Sequence, residues 1–158
     1  LLPNGTVTVG NCCMKNDGAA LILIIEEECA KQYGFKEGLE FKGAKNKGVN
    51  PNLLGIGPIP SVEALLDRHY LKIDDIDAIE LNEAFSSQVL ACQKELKIPF
   101  NKLNKWGGAI ASGHPYGASG AALVTRLFYM NDCYKTIATM GIGGGQGNAV
   151  LFERWIAN

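Results

Sequence analysis

Three segments of this 158-residue chain carry residue types and spacings suited to chemistry. The densest is Gly107-Gly108-Ala109-Ile110-Ala111-Ser112-Gly113-His114-Pro115-Tyr116-Gly117-Ala118-Ser119-Gly120. A histidine among glycines and alanines is poorly placed as core filler, and its small neighbours let a backbone or a large ligand come close. His114 is therefore the candidate functional histidine, whereas His69, at the end of a predicted helix, reads as simply exposed. The second segment is Asn82-Glu83-Ala84-Phe85, between a predicted strand and a predicted helix. Ligands of open α/β sheets bind at that end of the strands. An asparagine there can equally cap the helix, and both readings of Asn82 stand. The third, Gly141-Ile142-Gly143-Gly144-Gly145-Gln146-Gly147, reads either as a turn with positive φ angles or as a row of N–H donors for a phosphate or oxyanion. It has no Gly-Lys-Ser/Thr and no following helix, so it is neither a Walker loop nor a dinucleotide fingerprint.

The elements that must position these segments follow from periodicity. Gly18 to Ile25 is short and apolar and predicts a buried strand. Glu26 to Tyr33 predicts a helix with acids in its first turn, ended by Gly34. Leu39 to Val49 predicts a second strand, broken at Asn50-Pro51. Ser61 is placed to cap a helix over Val62 to His69, with Val62, Leu65, Leu66 and His69 on one face. Ile76 to Leu81 predicts a third strand, with Asn82 capping a helix from Glu83 to Leu96. Ala118 to Met130 predicts a further helix. Thr136 to Met140 and Asn148 to Trp155 predict strands that pair antiparallel across the glycine loop. Strands alternating with helices, without a repeat or linker, predict one α/β layered domain.

Composition bounds the function class. Hydrophobic residues make up 47% and charged residues 20%, which is globular composition. A formal charge of -1 gives no basic stripe for nucleic acid. The longest apolar run, Ala19 to Ile25, is too short to span a bilayer. Five cysteines match no zinc spacing and read as reduced, mostly packed thiols. The start Leu1-Leu2-Pro3 carries no initiator Met and no signal-peptide pattern, which predicts a piece of a longer chain in the cytosol.

Taken in order, these segments resemble the C-terminal signatures of the thiolases. Those signatures are an Asn-Glu-Ala-Phe box, a Gly-Gly-x-x-x-x-Gly-His-Pro-x-Gly-x-[ST]-Gly stretch and a Cys-x-Gly-Gly-Gly-x-Gly loop. Gly5-Thr6-Val7-Thr8, Asn16-Asp17-Gly18-Ala19-Ala20 and Gly55-Ile56-Gly57-Pro58 add to the match. The resemblance implies a five-stranded mixed sheet with helices on its faces, packed against a similar N-terminal half. It implies acyl transfer to and from coenzyme A in lipid metabolism, with coenzyme A thioesters as substrates, no cofactor and no metal, in a homo-oligomer. By the same resemblance His114 would activate a cysteine of the N-terminal half and help bind the thioester oxygen. Asn82 would orient a water in that oxyanion site, and the N–H of Gly143 would serve a second one. Phe85, with Ala84 beside it, would line the acyl pocket. The chemistry agrees: a thiol with a pKa of about 8.5 needs a base, and an enolate needs preorganised donors.

The sequence departs from the family pattern at several points. Gly141 stands where the family has its second catalytic cysteine, and the nucleophile half is absent from these 158 residues. Gly10-Asn11-Cys12-Cys13-Met14 puts Cys13 where a serine contacts the pantetheine arm. Trp106 replaces a small polar residue and reads as packing. Losing one positioned acid/base costs about two to four orders of magnitude in rate. Two readings follow: half of an acyl-CoA C-acyltransferase that is inactive alone, or a non-catalytic protein that keeps the fold to bind acyl-CoA or a partner subunit.

Overall fold

The computed structural model describes residues 4–157. Helix α1 (Glu27–Gln32) begins with two acids that suit the positive end of the helix dipole, and the chain turns away at Gly34 with φ of 79°. Strand β1 (Glu37–Gly48) leads to helix α2 (Pro58–His69), which starts a turn earlier than expected because Pro58 and Pro60 suit a helix's first turn. Ser61 is thus no cap; its buried hydroxyl donates to the Gly57 carbonyl at 3.1 Å. Strand β2 (Ala78–Leu81), helix α3 (Ser86–Glu95), the single turn α4 (Ala109–Ser112) and helix α5 (Ser119–Tyr129) follow. Strands β3 (Lys135–Ile142) and β4 (Gln146–Ile156) close the chain as an antiparallel pair.

The sheet order is β1-β4-β3-β2, with β2 and β3 parallel and the other pairs antiparallel. Alternation along the strands sends Ile79, Leu81, Ile137 and Leu151 to a core shared with Val62 and Leu65 of α2 and Cys92 of α3. Ala78 and Ala138 face the other way, onto Leu123 and Leu127 of α5. The result is a mixed sheet with helices on both faces.

Among the described residues four strands are formed rather than the expected five. Beyond β2 the edge carries one parallel bridge, Ile79 to Leu103, and then Asn104 takes over. The Asn104 N–H donates to Ile79 at 2.9 Å. Its side-chain Oδ1 accepts from Leu81 N at 2.8 Å, and its Nδ2 donates to Leu81 O at 3.0 Å. A side-chain amide thus satisfies the edge groups that a fifth strand would pair. The chain cannot continue extended, because Asn104 sits at φ 44° and turns to Gly107.

Residues 18–25 are not the buried strand that their composition predicts. Leu21 is 94% exposed and Ile24 91%, and no strand among the described residues pairs with them. Apolar sequence alone does not make a strand; an edge to pair with is also needed. Two smaller expectations fail as well. Trp106 is exposed rather than packed. His69 is half-buried, its Nε2 enclosed so closely by Gly43 that a Cβ there would lie at 2.8 Å.

Candidate active site

Asn82 lies one residue past β2, buried, with its N–H donating to the Thr139 carbonyl of β3 at 3.0 Å. It does not cap α3, which starts at Ser86. That turn is fastened instead by Gln88, whose Oε1 accepts from Ala84 N at 3.1 Å. The capping reading of Asn82 therefore fails, and its side chain stays available at the carboxyl end of a parallel strand.

The segment 12–15 threads the site together. Cys12 bridges Phe85, and the Cys13 N–H donates to the Ala84 carbonyl at 3.1 Å. One residue on, the Met14 carbonyl accepts from the His114 N–H at 2.8 Å, and Lys15 forms a parallel bridge with His114. Cys13, Ala84, Phe85 and His114 thus share one strip of backbone. The Cys13 thiol is half-buried, and burial first, then the neighbouring Cys12, push its pKa up. Phe85 also lines a shallow groove with Leu53, Leu54 and Ala91.

His114 is fixed on several sides. Its Nδ1 lies 2.6 Å from the buried Ser119 Oγ at the start of α5. Its ring stacks at a tilt on Tyr116, with 4.7 Å between centroids. Burial lowers its pKa below the ordinary 6.5, so the imidazole is neutral at neutral pH. Before it, Gly113 takes φ of 88°, and Asn16 Nδ2 donates to the Ser112 carbonyl at 2.9 Å. A Cβ on Gly113 would press into the Asn16 side chain, at 2.5 Å from Cγ. The loop needs glycine there for both conformation and space.

Glu83, just past the end of β2, braces the same loop. Its Oε1 accepts from Asn104 Nδ2 at 2.8 Å and its Oε2 from Ile110 N at 3.1 Å. Its carboxyl group fills the space where any side chain on Gly108 would go. Ser119, Glu83, Asn104 and Asn16 were not singled out by the sequence reading. All four lie in or beside the quoted motifs, but nothing in residue type or spacing says which atoms they reach.

The last glycine segment is mostly strand. Gly141 and Ile142 belong to β3 and Gln146 and Gly147 to β4, leaving Gly143–Gly145 as the turn. Gly143 is exposed, and a Cβ on it would meet nothing within 4 Å. At Gly141 a Cβ would find only ordinary contacts, Leu54 O at 3.6 Å and Pro58 Cδ at 4.0 Å. The backbone therefore does not require glycine at that position. Among the described residues no cluster of His, Cys, Asp or Glu is placed to hold a metal ion, and no helix is long and apolar enough to cross a membrane.

Comparison with known proteins identifies the family. The model of the thiolase C-terminal domain matches residues 36–154. The protein described as "Putative acetyl-CoA C-acetyltransferase VraB" from Staphylococcus epidermidis is 66% identical over the whole chain, which covers 41% of that relative. Its counterpart in Staphylococcus aureus is 59% identical over 98% of the chain, again covering 41% of the relative. The crystal structure of the Bacillus anthracis acetyl-CoA acetyltransferase superposes with a TM-score of 0.87 at 35% identity, over 96% of this chain and 39% of that one. The chain thus spans about two-fifths of the length of these relatives. It belongs to the thiolase family, as its C-terminal domain.

Proposed function

We propose that this chain supplies the histidine-bearing half of an acyl-CoA C-acyltransferase. The observation that carries the reading is His114, held neutral between Met14 and Ser119 on the backbone strip that also carries Cys13, Ala84 and Phe85. With Nδ1–H donating to Ser119, Nε2 is left free to take the proton of a thiol supplied by a second half. Asn82 holds a water at the thioester oxygen, and the Gly143 N–H serves the second oxyanion. Coenzyme A thioesters are the substrates.

The second half also accounts for the apolar surface. Ile22, Leu123, Val124, Met140 and Val150 line an apolar groove between α5 and the sheet, and Leu21 and Ile24 lie open beside it. Such a surface favours burial against a nucleophile-bearing domain or, without one, self-association. A reducing compartment such as the cytosol suits the five free thiols.

A second reading rests on Gly141. Without a side chain there, no group at that position exchanges a proton with the substrate α-carbon or with coenzyme A. On this reading the chain binds acyl-CoA or a partner subunit without turnover. The two separate on reconstitution with the N-terminal segment of the S. epidermidis relative. Thiolysis of acetoacetyl-CoA that is absent from the chain alone, appears on mixing and disappears in His114→Asn supports the enzyme. Acyl-CoA binding without turnover supports the second reading.

A further inference from the structure

Beneath the candidate site lies a carboxyl group with no part in the proposed chemistry. Glu80 sits in the middle of β2, two residues before Asn82. Since Ile79 and Leu81 face α2 and α3, Glu80 faces α5, where its side chain is 1% exposed. Its nearest cation is Arg126 of α5, with Nε 3.2 Å from Oε2. Neither carboxyl oxygen has a hydrogen-bond partner among the described residues, so the Arg126 contact is an ion pair only. The enclosed carboxyl oxygen beside Nε fixes where the guanidinium sits, whether the carboxyl is ionised or carries a proton.

The pinned guanidinium has a second arm. Arg126 Nη2 donates to the carbonyl of Gly107, the first residue of the loop that leads to His114. Within three residues the loop meets its other brace, where Glu83 accepts from Ile110 N and packs on Gly108. At its far end α5 holds His114 itself, through Ser119. One helix thus grips both ends of the loop, and Glu80 fixes where the Gly107 end is gripped.

We propose that Glu80 and Arg126 are positioning residues for His114, setting the path of the Gly107–His114 loop through the two-armed contact of Arg126. The functional meaning rests on the reading of His114 as the base, but the test reads loop order and needs no turnover. The two can therefore fail separately.

The decisive variant is Arg126→Lys. Lysine keeps a cation beside Glu80 but is a single point charge that cannot reach Gly107 at the same time. Amide exchange of residues 108–114 is expected to quicken about tenfold or more, the equivalent of one lost charge-assisted hydrogen bond. Protection of β3 and β4 should stay as in the parent chain, and the His114 ring resonances should move. Arg126→Met should loosen the loop at least as much; if it unfolds the chain, Arg126→Lys decides alone. Loop exchange as slow in Arg126→Lys as in the parent chain would overturn the proposal. So would a rise shared equally by β3 and β4 with the His114 resonances unmoved, since that is a loss of stability rather than of position.

Discussion

The two glycine-rich segments of the site look alike in sequence and are opposites in space. The Gly107–Gly113 loop is crowded: Glu83 fills the space at Gly108, Asn16 presses on Gly113, and Arg126 holds Gly107. The Gly143–Gly145 turn is open at its tip, with nothing near a Cβ on Gly143 or Gly144. In the first, glycine makes room for side chains that fix a histidine. In the second it leaves backbone uncovered, which the oxyanion role proposed for Gly143 would need. Gly141 belongs with neither, since space for a side chain exists there and is unused.

The sharpest way to press on this contrast is to fill Gly141. In the chain reconstituted with a nucleophile-bearing half, Gly141→Cys should raise thiolysis by about two to four orders of magnitude. No increase in the assay would mean that the position has lost its role altogether.

The next effect concerns the brace. Burial raises the Glu80 carboxyl from 4.5 to about 7; Arg126 lowers it in part and Glu83 raises it. The folded chain therefore holds a proton that the unfolded chain releases. Stability from this group is full below pH 4.5 and is lost as pH rises towards 7, by on the order of 3 kcal/mol. Denaturant titrations of Glu80→Gln should show that part of the pH dependence flattened.

Two alanine substitutions then test the contrast directly. Gly108→Ala forces a methyl group into the Glu83 carboxyl and should cost about 2–3 kcal/mol in chemical denaturation. Gly143→Ala, with open space around it, should change stability by no more than about 0.5 kcal/mol. Equal costs at the two positions would dissolve the distinction between braced loop and open turn.

Much of the fold was legible because periodicity reports burial. The face of Val62, Leu65 and Leu66, the long strand from Leu39 and the closing antiparallel pair all follow from which residues must leave water. What periodicity cannot report is the partner. Residues 18–25 are as apolar as any strand, yet the pattern does not say which sheet edge they pair with, and the described chain offers none. Asn104 escaped for the complementary reason: a side-chain amide imitating a strand has no sequence pattern. At the site, His114 stood out by its small neighbours. Which residues hold it, and through which atoms, depends on Met14, distant in the chain, and Ser119, at the start of α5, both reaching it in space.

The most direct measurement is a pH titration of His114 in the intact chain by nitrogen-detected NMR of its imidazole. The account predicts a pKa below 6.5, with the proton of the neutral ring on Nδ1 facing Ser119 and Nε2 free. A neutral ring protonated on Nε2 would contradict it, because the braced histidine would then present no free base to a thiol; a pKa at or above 6.5 would contradict the burial of the ring.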